Sequence, residues 1–286
     1  MDHLSELKDI EELRKIKHPL LKTEVLDTIE SKHGTYPIIS FVIGTEDKSA
    51  PTFALFGGVH GLERVGTHVS ISFLSYILNR LTWDKDLEST FKHFRLVSIP
   101  LINPGGMAMH QRSNPNGVDL MRNAPQDAEG KASVIFSGHR ISNKIPWYRG
   151  ERGTFEKESS VLKNFLKEEV FASRACVSLD VHSGFGMIDR LWYPYAKTKK
   201  PFAHIDTVKN FGKLLDQTLP HHIYHLEPTS DSYLIHGDLW DYFYDYQREN
   251  YKGVFIPWTL ELGSWLWVRK NPLQIFSILG LFNPIR

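Results

Sequence analysis

His60 and Glu63 stand three residues apart in Leu55-Phe56-Gly57-Gly58-Val59-His60-Gly61-Leu62-Glu63, close enough for an imidazole and a carboxylate to reach one metal ion. Zinc takes such N and O donors, and hydrolytic sites often combine two His with one carboxylate, leaving a position for water. The spacing alone recurs by chance in many chains, and it equally fits a loop His beside a solvated helix-start Glu. Its placement adds weight. Residues 51–56 read as a buried strand and 64–80 as a helix with apolar periodicity, so the pair sits at a strand's C-terminal end, where open α/β sheets bind ligands. His182, in Val177-Ser178-Leu179-Asp180-Val181-His182-Ser183-Gly184, repeats that setting at the end of a second apolar strand. Strands of one parallel sheet can bring both to the same edge. Glu261 closes a third apolar run, 255–260. A carboxylate there must be paired, bound to metal or tuned for proton transfer. Alone, it suits an Arg partner as well as a catalyst.

The elements that must position these residues alternate along the chain. A short amphipathic helix over 4–16 precedes strands at 24–30 and 36–43, then strand 52–57, helix 64–80 and strand 94–100. After an irregular stretch, 103–155, rich in Asn, Pro, Gly and Arg, come a helix at 155–171, strands at 175–181 and 191–195, and a helix at 202–215. A strand at 222–226, an aromatic helix at 239–247, a strand at 254–260 and a C-terminal segment with 272–281 complete the order. This rhythm predicts α/β organisation with a mainly parallel sheet, and long irregular stretches in compact domains are often functional. No repeat, low-complexity tract or linker divides the 286 residues, which favours one domain.

Composition narrows the function classes. The formal net charge of +1, without a Lys/Arg run, argues against nucleic acid. The 14 His would make the protein basic in mild acid. Cys176, the only cysteine, has no internal partner and reads as a small core hydrophobe. No stretch approaches the roughly 18 apolar residues of a membrane span. The charged N-terminus is unlike a secretory leader, so a cytoplasmic location without membrane association is expected.

The ordered set His60-Gly61-Leu62-Glu63, then Arg112-Ser113-Asn114-Pro115-Asn116-Gly117-Val118-Asp119-Leu120-Met121-Arg122-Asn123, then His182, then Thr259-Leu260-Glu261 resembles the zinc carboxypeptidase family. Asn103-Pro104, Tyr148-Arg149-Gly150 and Leu191-Trp192-Tyr193-Pro194-Tyr195 add to a resemblance that spans roughly residues 24–265. It implies one domain with a mixed, mainly parallel central sheet flanked by helices on both faces, residues 24–286, preceded by an N-terminal helical extension, 1–23. It further implies one zinc ion held by His60, Glu63 and His182. Glu261 then matches the general base toward metal-activated water, and Arg112 the arginine that stabilises the oxyanion. Arg122 matches the arginine that grips a substrate's terminal carboxylate, and Tyr233 a mobile tyrosine that closes over substrate. Asp238 and Trp240 are expected near the pocket for the leaving residue, where the acid would favour a cationic group. Asp180, two residues before His182, could orient that ligand or join a second metal.

The implied activity is hydrolysis of an amide or peptide bond next to a terminal carboxylate. The substrate would be a small peptide, recycled cell-wall fragments included, and the enzyme would be active as made. In one respect the chain departs from the pattern. The family usually has Asn before the carboxylate-binding arginine, and Met121 stands there, removing an amide donor. That keeps open a deacylase of N-acyl amino acids, as in the succinylglutamate desuccinylase and aspartoacylase relatives. A non-catalytic binding protein on the same fold is a third possibility, against which all three ligands and Glu261 are retained. Nothing in the sequence sets the oligomeric state.

Overall fold

The computed structural model describes residues 4–263, so the C-terminal segment noted at 272–281 lies outside the described residues. Helix α1 (Ser5–Arg14) buries Leu7, Ile10 and Leu13 at helical spacing. A hairpin follows, β1 (Leu21–Ser31) and β2 (Gly34–Gly44), then β3 (Thr52–Gly57), α2 (Arg64–Leu81), α3 (Lys85–Phe91) and β4 (Arg95–Ile99). The irregular stretch contains α4 (Pro104–Ala108) and one 3₁₀ turn, Leu120–Arg122. Beyond it lie α5 (Lys157–Glu169), β5 (Ala175–His182), β6 (Arg190–Tyr193), α6 (Ile205–Thr218), β7 (His225–Pro228), α7 (Thr229–Ser232), α8 (Leu239–Asn250) and β8 (Val254–Glu261).

The eight strands form one mixed sheet in the order β1-β2-β4-β3-β5-β8-β6-β7. The central run β4-β3-β5-β8 is parallel. The β1–β2 and β2–β4 pairs and the β6–β8 pair are antiparallel. β4 is buried at every position and β3 at all but one, as strands covered on both faces must be. The edge strand β1 carries alternating exposed Lys, Thr and Glu side chains, which discourages further strand pairing.

Side-chain alternation along β3 shows what covers each face. Phe53 packs edge-on against Phe73 of α2. Trp258, in register with Leu179 and so with Leu55, meets Phe211 of α6. Phe56 points the other way, to Phe165 of α5 and Trp240 of α8. Helices therefore lie on both faces. At its first turn α2 approaches β5 so closely that a Cβ on Gly66 would lie 2.2 Å from the Val181 carbonyl oxygen, and only glycine permits that contact.

Besides the short helices α4 and α7, which fall where no helix was expected, two elements differ from expectation. The strand expected at 222–226 forms at His225–Pro228, because 219–224 is a turn closed by His222 N–H to the Leu219 carbonyl and Tyr224 N–H to His222 Nδ1. Helix α3, capped by Asp84 accepting from Asp86 N and Leu87 N, occupies a stretch where no element was expected. Among the described residues no helix is long and apolar enough to cross a membrane.

Candidate metal centre and active-site cavity

Three parallel strand ends converge at the sheet's C-terminal edge. Gly57 of β3 is in register with Val181 of β5, and His182 is in register with Glu261 of β8. The turn after β3 carries His60, and Glu63 stands at the N-terminus of α2. These placements bring His60, Glu63 and His182 together, all buried, with one donor atom from each within 4.8 Å of the others. Glu63 lies between the two rings. Its Oε1 is 2.8 Å from His60 Nδ1, and its Oε2 is 2.9 Å from His182 Nδ1 and accepts from Ser183 N. A Cβ on Gly184 would fall 2.2 Å from Glu63 Oε1, so a side chain at 184 would occupy the centre.

Each imidazole is fixed from behind. His60 Nε2 faces Asp119 Oδ1 at 3.1 Å, and His182 Nε2 faces Asp180 Oδ2 at 2.7 Å, an oxygen that also accepts from Trp240 Nε1. With Nε2–H donated to a carboxylate, each ring turns its Nδ1 lone pair toward Glu63. Only a proton or a cation between them makes that favourable. Carboxylate–histidine pairs of this kind orient metal ligands and raise their basicity. Burial opposes ionisation of Glu63, yet His60 and His182 hold its carboxyl well below the usual range. Burial likewise opposes charge on His182, and Asp180 and Glu63 override it.

Glu261 has a different environment. It lines a cavity of about 740 Å³ beside the triad, its Oε2 is buried with no hydrogen-bond partner among the described residues, and burial pushes its carboxyl up to about 8. The irregular stretch supplies the opposite charge. Arg112 donates from Nε to Asp119 Oδ2 and from Nη1 to Glu63 Oε1. Arg122 donates from Nη1 to the same Asp119 oxygen. Burial alone would raise the Asp119 carboxyl, but Arg122, Arg112 and His60 hold it well below the usual range.

The profile of the zinc carboxypeptidase family matches residues 20–264. The chain belongs to the zinc carboxypeptidase family. Metallocarboxypeptidase A of Trichophyton rubrum is 27% identical over 215 residues, which cover 70% of this chain and 48% of the relative. The chain thus spans about half the length of that curated relative. Carboxypeptidase A from Helicoverpa armigera has a TM-score of 0.66 at 18% identity, covering 87% of this chain and 62% of that one. Bovine thrombin-activatable fibrinolysis inhibitor, solved with a tick carboxypeptidase inhibitor, has a TM-score of 0.66 at 16% identity, covering 96% and 93%. At these identities the structures bear on the fold alone.

As in a zinc carboxypeptidase, the donor set fits zinc: two imidazole nitrogens and a carboxylate, each imidazole oriented by a second carboxylate. Tyr233 lines the cavity with Arg112, Arg122 and Glu261, and burial raises its hydroxyl pKa. Asp238 and Trp240 are not among the lining residues. Asp238 is buried as the N-cap of α8, accepting from Asp241 N, and Trp240 packs on Phe56 while donating to Asp180. Both serve the helix–sheet seam. Met121 is buried in the hydrophobic core, so no side-chain amide accompanies Arg122 there. His139 is buried against the Pro146 carbonyl and His222 pairs with Asp216, while His110 lies exposed at φ 52°. Cys176 is buried and unpaired, as expected of a core hydrophobe.

The residue that sequence reasoning passed over is Asp119. It touches His60, Arg112 and Arg122 at once. Its only sequence signal was its place in the Gly117-Val118-Asp119-Leu120 run; its separation from His60 gave none.

Proposed function

We propose that this chain is a zinc-dependent hydrolase that cleaves an amide or peptide bond next to a terminal carboxylate. The observation that carries this reading is Glu261. A buried carboxyl with an unpartnered oxygen, raised to about 8, borders the cavity beside a two-His, one-Glu donor set. Zinc held by His60, Glu63 and His182 would lower the pKa of water and polarise the scissile carbonyl.

The protein groups then divide the work. Glu261 takes a proton from the attacking water and returns it to the leaving amine, and a raised pKa suits a group that must do both. Arg112, held on one side by Asp119 and Glu63, directs its remaining N–H groups at charge that develops on the carbonyl oxygen. Arg122 receives the terminal carboxylate, and Tyr233 closes the cavity and donates to substrate. Asp119 fixes both arginines relative to His60, so the charge-bearing groups move as one unit.

Buried Met121 favours a second reading, a deacylase of N-acyl amino acids, because it leaves Arg122 without an amide beside it. One experiment tests both. Zinc-loaded protein is incubated with blocked dipeptides and with N-acyl amino acids, and the products are followed by mass spectrometry. Release of a free C-terminal amino acid from the peptides is expected. Turnover confined to N-acyl amino acids would favour the second reading, and no turnover of either would overturn both.

A further inference from the structure

The family profile begins at residue 20, so helix α1 precedes the matched residues. Its buried acid nevertheless reaches the residue beside a metal donor. Glu6 is fully buried and holds Arg64 in bidentate fashion, with Nε donating to Oε1 and Nη2 to Oε2, each at 2.6 Å. His68 Nε2 lies 3.1 Å from the same Oε1. Ser5 Oγ donates to Oε2 and accepts from Arg64 Nη2. Arg64 is the first residue of α2, and Glu63 stands immediately before it.

The start of α2 lacks anchors of its own. Its first turn has no acidic residue, and the Glu63 side chain makes no cap, being turned to His60 and His182 instead. Arg64 even places a cation where the helix dipole disfavours one. Glu6 supplies from another element the negative charge that this end lacks. Stability alone does not account for the pair, because desolvation of two buried charges cancels much of their attraction and an apolar side chain would pack as well. A bidentate pair adds defined geometry. On one side α2 is seated on the sheet, by the approach of Gly66 to Val181 and by Ser70 Oγ donating to the Phe56 carbonyl. Helical spacing puts Arg64 on roughly the opposite side, so Glu6 completes the seat and fixes the helix end from which Glu63 projects.

We propose that α1 braces the metal centre, with Glu6 as a positioning residue that sets Glu63 through Arg64. The inference rests on the reading of His60, Glu63 and His182 as the zinc site. The brace governs where a donor sits, so its effect is read in zinc affinity and not only in turnover.

Zinc affinity of the full chain is measured by chelator competition for the unmodified protein, Glu6→Gln, Arg64→Gln and the double variant, at a temperature where circular dichroism shows each zinc-free protein folded. Each single substitution is expected to weaken zinc binding about 10-fold, the low end of what outer contacts of metal ligands contribute. The double variant should be no worse, since the pair is broken once. Should Glu6→Gln not fold, Arg64→Gln, whose side chain is partly exposed, reads the same pair. A role confined to stability would lower the Tm of the zinc-free protein and leave zinc affinity in place, and that result overturns the brace. A gain in affinity with Arg64→Gln also overturns it, since charge near the metal and not position would then be at work, as do losses that add in the double variant. Failure of the unmodified chain to bind zinc would overturn the metal reading and this inference with it.

Discussion

The metal centre and the irregular stretch 103–155 meet in one cavity but are built by opposite means. His60, Glu63, His182 and Glu261 stand at the ends of regular elements whose cores are apolar, so their positions follow from strand register. The irregular stretch has little apolar core of its own. Its shape is held by buried polar side chains: Asn114 bridges Glu156 and Glu158, Asn123 reaches Arg149 and Thr154, and Arg149 binds the carbonyls of Arg122, Ala124 and Gln126. Packed strands fix a donor set rigidly, whereas a loop held by hydrogen bonds can change its side chains without disturbing the sheet. The metal donors and Glu261 thus stand at the ends of regular elements, both arginines come from the loop, and Asp119 joins the two regions.

The strand-end half should be broken most completely by Glu261→Gln. That substitution keeps the shape and removes the base, so kcat is expected to fall about 10³-fold while bound zinc stays at one per chain by elemental analysis. Full retained activity would remove Glu261 from its assigned role. Asp119→Asn comes next, because it acts on both halves at once. It should lower kcat/KM by roughly 100-fold, and zinc affinity by about 10–100-fold through His60. Its signature is that preference for free over amidated C-termini weakens together with zinc binding. Loss of one without the other would mean that Asp119 does not join the two regions.

Asp180→Asn separates the halves. Asp180 touches His182 and Trp240 but neither arginine. Zinc affinity is therefore expected to fall about 10-fold or more, while zinc-saturated protein keeps its preference among C-terminal residues. A changed preference at saturating zinc would contradict the separation.

The same contrast explains what the sequence made legible. An apolar run ending in glycine beside His or Glu marks a strand end, and that pattern located His60, Glu63, His182 and Glu261 together with the sheet that joins them. The role of Asp119 had no such mark. Its partner His60 lies 59 residues away, and a buried pair formed across a loop leaves no period in the sequence. Asp238 and Trp240 were expected at the pocket from their position beside Tyr233. Capping of α8 and packing on Phe56 turn them inward instead, a consequence of helix geometry that their alignment with a motif could not reveal.

The smallest expected effect concerns the seam where the irregular stretch meets α8. Ala124 N donates to the Gly237 carbonyl and Gly237 N to the Gln126 carbonyl, which carries the seam to the buried carboxyl of Asp238. Burial, opposed by hydrogen bonds from the helix backbone and by Arg122, raises that carboxyl from 3.8 to about 6. The folded state therefore holds this proton more tightly than the unfolded chain does. The resulting stability is fully present below pH 3.8 and is lost as pH rises through about 6. Asn caps a helix as well as Asp and has no proton to lose. Asp238→Asn should therefore gain on the wild type as pH rises from about 4 to 7, by something on the order of 1–3 kcal/mol, or a few °C in Tm. Thermal unfolding of both proteins across that range checks it, since losses common to the two cancel in the difference. A difference that stays constant with pH would mean that Asp238 is ionised throughout, and that the polar seam tolerates a buried charge as readily as the strand ends do.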